Sequence, residues 1–359
     1  MRLGHEVCLI TVSPNRRAMA RAEVSDHFQL MESPNLLNFV PGLGTGYGVI
    51  GIPYRMLTVA RDRFDIVHAF EHKPNVMLPG LLARTLNGCP LVADWADWWG
   101  FTRDGSGTQE RRRWPAPRLE TAMEEFIHRE ADWVTTISTG LRDRALSLGI
   151  PAERVRLIPS GAPSEAIRPL DRMLCRQELG ISPSTYLLGY VGSDDRDLDL
   201  IAPALSALHK RRPRAKLGVI GPKSLGAPRS RDAVISFGRV PFSRLPLYLG
   251  ACDSFVLPLR DTVFNRTRWP NKFGDYLAAG RPILCSKVGD VARIVEAEAC
   301  GIVWTDLTEL IGAVETLIEH GESAEAMGRA ARQLAEGRLS WGHLALDFLS
   351  VYREAAPPA

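Results

Sequence analysis

Short apolar runs rich in Val, Ile and Leu alternate along this chain with stretches of helical periodicity, and that alternation leaves little choice of fold. A run of four to seven such residues between polar or glycine-containing turns reads as a strand covered on both faces, and the helical stretch after it as a crossover into the next parallel strand. Glu6 to Val12 is the first such strand, followed by Leu36 to Val40, a glycine-rich loop from Gly42 to Gly51 and a helix from about Pro53 to Arg61. Phe64 to Phe70 reads as strand, Asn75 to Leu86 as helix and Pro90 to Asp94 as strand; Leu119 to Ala131 (helix), Trp133 to Ile137 and Arg154 to Ile158 (strands) close the series. Pro159, Gly161, Pro163 and Pro169 then crowd a loop-like stretch ending near Asp171, which we read as a linker. A second series opens with Tyr186 to Val191 and a helix whose Leu198, Ile201, Leu205 and Leu208 line one face. Strands at Lys216 to Ile220, Val234 to Phe237, Ser254 to Leu257, Pro282 to Cys285 and Gly301 to Trp304 follow, then helices Ser323 to Ala335 and Trp341 to Ala355.

At 359 residues the chain exceeds one ordinary α/β core and suits two domains. A net charge of +3 is too small for nucleic-acid binding through counterion release. The run Arg111, Arg112, Arg113 and Trp114 is a local exception, either a solvated loop or a contact for phosphate or an anionic membrane surface. The six cysteines are far apart and have no metal-ligand spacing, which suits buried thiols in a reducing compartment. No apolar run reaches the roughly 20 residues of a membrane span, and the first residues carry no signal-type pattern. We therefore expect a cytoplasmic protein, soluble or peripheral at the inner face of a membrane, without cofactor or metal.

The stretch from Pro270 to Ile283 carries the most chemistry. Asn271 reads as the cap of a short helix whose first free amides belong to Lys272, Phe273 and Gly274, and Gly280 as its left-handed end. A helix start with a lysine beside it is an anion site, because unpaired N–H groups, the helix dipole and the ammonium all favour phosphate. Asp275, one turn in, accepts from two hydroxyls when ionised. A diphosphate at the helix mouth and a ribose beside it fit this pattern; an ordinary crossover helix with a surface aspartate fits it too.

This stretch resembles the P-x-K-x-x-E-Y-L-A-A-G-x-P-V segment of the retaining GT-B glycosyltransferases of family four, in which the acidic residue before the tyrosine contacts the donor ribose. Here that residue is Asp275. Gly4-His5-Glu6-Val7, Asp65-Ile66-Val67-His68, Ala131-Asp132-Trp133-Val134, Arg154 to Gly161, Tyr190-Val191-Gly192-Ser193 and Phe237-Gly238-Arg239-Val240 are similar to further segments of the family, in the family's order. The resemblance implies an α/β GT-B architecture of two Rossmann-like domains facing a cleft. Residues 1–165 would bind the acceptor, 166–338 the nucleotide-sugar donor, and 339–359 would form a helix crossing back to the first domain. It also implies that the first domain lacks the family's initial strand, since relatives have a strand, a glycine-rich loop and most of a helix before G-H-E-V. Donor-binding positions are then Gly192, Ser193, Arg196, Gly221, Gly238, Arg239, Val240, Arg268, Asn271, Lys272, Phe273 and Asp275.

Two departures bear on the donor site. The position eight before Asp275, acidic in the common family pattern, is Thr267, and the stretch after Gly192 is rich in Asp where the family carries a basic clamp. Lys272, with Arg266, Arg268 or Arg196, must supply the charge. A polysaccharide-type branch with D-L-D-L-L after this glycine resembles the chain more closely. For the acceptor, strand ends supply His68, Glu71, His72, Asp94, Asp97 and Trp98. His72 or Asp97 is placed to orient an acceptor hydroxyl, and with Lys272 these make the catalytic candidates. Gly46-x-Gly48-x-x-Gly51 fits a dinucleotide fingerprint only in letters, because Pro53 follows at once and the surrounding glycines at 42 and 44 read as a loop, where the fingerprint needs a tight turn and a directly continuing helix. The expected activity is hexosyl transfer from a UDP- or GDP-sugar to a hydroxyl of a glycan, glycolipid or small molecule, with retention. A catalytically silent binding subunit and a nucleotide-sugar epimerase are the two rivals.

Overall fold

The apolar runs become strands, and each half of the chain builds its own parallel sheet. The computed structural model describes residues 4–12, 21–35, 37, 39–40, 44–100, 116–192, 197–221 and 231–356. The chain divides into two units, Met1–Ile158 with Phe348–Ala359, and Pro159–Asp347.

The first unit opens with β1 (Val7–Val12), β2 (Arg21–Ser25) and β3 (Phe28–Ser33), in the order β1-β3-β2. β1 runs parallel to β3, with Val7 opposite Phe28, and β2 folds back antiparallel. A two-stranded ribbon, β4 (Phe39–Val40) and β5 (Gly44–Thr45), precedes helix α1 (Gly51–Arg61). Helix α1 therefore starts two residues before Pro53, which sits in its first turn, where a missing amide costs nothing. The glycine motif follows the antiparallel ribbon and not a parallel strand, so it does not form a dinucleotide turn. Next come β6 (Val67–Ala69), α2 (Pro74–Asn87), β7 (Leu91–Trp95), α3 (Ala116–Glu130), β8 (Trp133–Thr136), α4 (Thr139–Ser147) and β9 (Val155–Leu157). The four strands form a parallel sheet in sequence order, with Val92 opposite Trp133 and Val134 opposite Val155. Leu91, Ala93, Trp95 and Val134 pack against Ile127 of α3 and Leu141 and Ala145 of α4. Among the described residues β1 and β6 each have a single partner strand, and Val7 and Leu9 of β1 are 42% and 44% exposed.

The second unit begins with α5 (Arg172–Leu179), capped by Asp171, whose side chain accepts from Leu174 N. Its remaining elements are β10 (Tyr186–Val191), α6 (Ala202–Arg211), β11 (Ala215–Ile220), β12 (Val234–Gly238), α7 (Leu245–Gly250), β13 (Ser254–Leu257), α8 (Val263–Thr267), α9 (Asn271–Ala279), β14 (Ile283–Ser286), α10 (Gly289–Ala297), β15 (Gly301–Trp304), α11 (Leu307–Glu319) and α12 (Gly321–Glu336). All six strands are parallel, in the order β12-β11-β10-β13-β14-β15. Winding proceeds outward from β10 in one direction and resumes at β13 in the other. The C-terminal end of β10 is thus the switch point at which doubly wound sheets take their ligands. Leu198, Ile201, Leu205 and Leu208, the predicted helix face, are at most 5% exposed and pack with Leu310, Val314 and Leu317 of α11 on this sheet.

The last helix, α13 (Trp341–Ala355), belongs to the second unit up to Asp347 and to the first from Phe348. Its Trp341 ring lies where a Cβ on Gly161 would stand, and its Tyr352 hydroxyl meets His68 Nδ1 at 2.7 Å. All six cysteines are free, and all but Cys8 are buried. No helix among the described residues is long and apolar enough to cross a membrane.

Candidate functional site

In the second unit, three strands end side by side on glycines. Gly192 N donates to the Ile220 carbonyl at 3.0 Å and Gly221 N to the Gly238 carbonyl at 2.9 Å. A Cβ on Gly221 would lie 2.1 Å from the Gly192 carbonyl oxygen, so the tips of β10 and β11 meet only because Gly221 carries no side chain. Gly238 is left-handed, φ 71°, and turns β12 into the exposed Arg239 and half-buried Val240.

Helix α9 delivers its start to the same strand ends. Its N-cap is Pro270, with no side-chain cap; Asn271 is the first helical residue and is exposed, which corrects the expected Asn271 cap. Pro270 fixes an extended backbone just before the helix, so the turn into it falls one residue early. No side chain caps this start, but the Phe273 amide donates to the Pro270 carbonyl at 2.9 Å, so it is not the free amide expected from the sequence. The other end is the expected left-handed Gly280, φ 67°. The inner face of α9 anchors it: Phe273 and Tyr276 are fully buried, and Tyr276 stacks on Phe255 with centroids 4.3 Å apart. The Tyr276 hydroxyl accepts from Val191 N, at the end of β10, at 2.8 Å. Gly274 lets the helix approach Gly161, whose carbonyl oxygen is 3.0 Å from where a Cβ would stand.

Lys272, on the outer side, sets its ammonium 4.2 Å from the Tyr190 ring centroid, a cation–π contact that holds the charge over the end of β10. Burial lifts the Asp275 carboxyl to about 6, with Lys272 opposing the rise. Arg268 lies 3.9 Å from the Asp197 carboxylate and over the Phe264 ring. Arg266 is chelated by Asp261 at 2.5 and 2.7 Å and is exposed. Thr267 is buried and turns its hydroxyl back to the Val263 carbonyl at 3.0 Å. Ser193 and Arg196 lie outside the described residues, as does the Arg111 to Trp114 run. Sequence reasoning missed Tyr190, Asp197 and the hydroxyl of Tyr276.

In the first unit the strand-end residues form a buried polar network. His72 is 2% exposed, with Nδ1 2.7 Å from Glu71 and Nε2 2.7 Å from Glu120. Burial alone would depress this imidazole, but the Glu120 and Glu71 hydrogen bonds outweigh it and raise it to about 9. His72 is therefore a cation with both nitrogens donating, which leaves it no lone pair for an acceptor hydroxyl. The Tyr47 hydroxyl donates to the other Glu120 oxygen at 3.1 Å. Glu124 accepts from Trp95 Nε1 at 2.8 Å, Trp99 N at 3.0 Å and Gly100 N at 2.6 Å, and so fixes the loop bearing Asp97 and Trp98. Asp97 and Trp98 are half-buried on that loop, with the Arg144 guanidinium over the Trp98 ring.

A second chain of hydrogen bonds links β7 to α13. Thr135 donates to Asp94 at 2.5 Å, and His68 Nε2 lies 3.4 Å from the same hydroxyl. Burial drops His68 to about 3, so the ring is neutral, and Nδ1 accepts from Tyr352. Burial also raises Asp94 to about 6, although the Thr135 bond opposes it. Glu120, Glu124 and His128 were missed as a group; their spacing of four puts them on one face of α3, and that periodicity was the available signal.

A doubly wound sheet with a cationic helix mouth over its switch point, in a chain with a second parallel-sheet unit, defines a GT-B protein of two Rossmann-like units. Sucrose-phosphate synthase from Thermosynechococcus elongatus shares this fold with a TM-score of 0.72 at 18% identity, over 98% of this chain and 90% of that one. Anabaena HepE, solved in complex with UDP, shares it with a TM-score of 0.66 at 15% identity, over 84% and 82%. Residues 1–161 match the family model for the glycosyl transferase 4-like domain, and residues 185–320 that for glycosyl transferases group 1. The chain belongs to the family-four-type GT-B glycosyltransferases. It is 26% identical over 220 residues to a D-inositol 3-phosphate glycosyltransferase of Segniliparus rotundus, a match covering 56% of this chain and 47% of that protein. The chain spans about half the length of the curated relatives it matches first.

Proposed function

We propose that the protein transfers a hexosyl group from a UDP- or GDP-sugar to a hydroxyl of a glycan, glycolipid or small-molecule acceptor, with retention of configuration. The observation that carries this reading is the start of α9, uncapped and flanked by Lys272, held over the end of β10 at the switch point of its sheet. Diphosphate oxygens would lie at the positive end of the α9 dipole and take the Lys272 ammonium, with Arg268 as a further cation. Asp275 would receive the ribose hydroxyls. Charge that builds on the leaving diphosphate is then met by dipoles and cations already in place. The donor's own phosphate oxygen would take the acceptor proton, which delivers the hydroxyl to the face the phosphate leaves. Among the acceptor candidates, Asp97 and Trp98 on the Glu124-bound loop, with Asp94 and His68 at the strand ends, would position that hydroxyl. His72 serves to charge-balance Glu71 and Glu120. HepE's complex with UDP and the names of the curated relatives, which include a GDP-mannose-dependent mannosyltransferase, support a nucleotide-sugar donor. On this reading the enzyme works in the cytoplasm or at the inner face of the membrane, where lipid-linked acceptors are within reach.

The test is to incubate the purified protein with UDP-glucose, UDP-GlcNAc and GDP-mannose in turn and follow free nucleoside diphosphate and sugar. Slow release of UDP or GDP from one donor, accelerated by an acceptor mixture, is expected. Binding without release from any donor would contradict the assignment, as would conversion of the sugar while it stays attached to the nucleotide.

A further inference from the structure

Asp197, at the head of the 3-10 turn Leu198–Ile201 leading into α6, has no place in the reading above. Its backbone is left-handed, φ 69°, a conformation unfavourable for a residue other than glycine. Its side chain is 3% exposed, where an isolated carboxylate would be heavily penalised. Three partners among the described residues come from one segment. Asn265 Nδ2 donates to it at 3.0 Å, Arg260 Nε lies 3.4 Å away and an Arg268 nitrogen 3.9 Å away. Asn265 also donates to the Arg260 carbonyl at 2.8 Å, and Arg260 reaches on to Asp199 at 2.5 Å.

One buried carboxylate therefore ties the entry to α6 to the segment that runs through Arg268 into the mouth of α9. Four residues after Arg268, Lys272 is fixed over Tyr190 of β10. Two cations four residues apart are thus held by separate devices, Lys272 by an aromatic ring and Arg268 by a carboxylate.

We propose that Asp197 is a positioning residue for diphosphate recognition, holding Arg268 so that it meets the second phosphate of a nucleoside diphosphate while the Lys272 ammonium meets the other. This rests on the donor reading. It replaces the basic clamp that the Asp-rich stretch after Gly192 does not supply, and it makes preference for diphosphate over monophosphate depend on a residue that touches neither.

Calorimetric titration of UMP, UDP, GMP and GDP into the wild type, Asp197→Asn, Arg268→Gln and the double variant tests it. Asparagine keeps the shape, tolerates the left-handed backbone and still accepts from Asn265, so the change removes charge alone. Diphosphate affinity should fall about tenfold in each single variant, the loss of one charge-assisted contact, with monophosphate affinity changed less than about twofold. The double variant should bind no more weakly than the weaker single one, as for two residues in one device. Equal losses for mono- and diphosphate, or additive losses, would overturn the proposal. Should Asp197→Asn fail to fold, Arg268→Gln gives the same mono- against diphosphate comparison at a partly exposed position. A wild type that binds none of the four nucleotides sinks the donor reading itself; variants that keep the wild-type preference sink only this inference.

Discussion

Burial lifts the Asp275 carboxyl to about 6, against about 4 for an exposed aspartate. The folded state therefore holds this proton more tightly than the unfolded one, and the group contributes stability at low pH that is lost as pH rises from about 4 through 6. At neutral pH the empty protein carries an ionised, half-buried carboxylate at a cost of up to about 2 kcal/mol, which ribose hydroxyls would offset by hydrogen bonding. Asp275→Asn should then raise the thermal midpoint of the ligand-free protein at pH 7.5, with the gain fading toward pH 4.5, and weaken nucleotide binding about tenfold. Paired unfolding scans at the two pH values, with a titration of UDP and GDP, check both halves; a variant less stable at pH 7.5 would contradict the account. His72 shows where residue-level reading runs out. A histidine at a strand end is a fair candidate for touching an acceptor hydroxyl, and nothing near it in sequence announces Glu120, 48 residues on, which takes its second nitrogen.

At the scale of elements, the apolar face that runs from the 3-10 turn Leu198–Ile201 into α6 follows from the spacing of Leu198, Ile201, Leu205 and Leu208, because burial on a sheet demands that period. α5 escaped because Met173 and Leu174 are exposed, so its sequence shows no clean stripe. The helix character and glycine end of α9 were legible; its cap was not, since Pro270 and Asn271 both begin helices well and only the backbone angles decide between them. Asp197 lies in an Asp-rich run where no one residue stands out, and its role comes from partners more than 60 residues away. The meeting of β10 and β11 at Gly192 and Gly221 yields a prediction of its own. Gly221→Ala must push apart two backbones, because its Cβ would stand 2.1 Å from the Gly192 oxygen. It should destabilise the protein by about 2–4 kcal/mol in urea unfolding and remove nucleotide binding; a loss below about 0.5 kcal/mol would mean the strand ends are not packed as described.

Taken whole, the molecule puts different chemistry in each unit. The second unit offers backbone amides, a lysine and a carboxylate over a switch point, the means of holding a charged nucleotide. The first buries His72 between Glu71 and Glu120, with Glu124 holding the Trp99 amide of the neighbouring loop. Glycosyl transfer needs both, and the family models match both, over residues 1–161 and 185–320. Everything said about transfer depends on the mouth of α9 gripping a diphosphate. Calorimetric titration of UDP and GDP into the wild type and Lys272→Ala at low ionic strength measures that grip directly. The account predicts that the wild type binds at least one of the two and that the variant, folded and equally stable, binds it at least about a hundredfold more weakly. An unchanged dissociation constant in Lys272→Ala would contradict it.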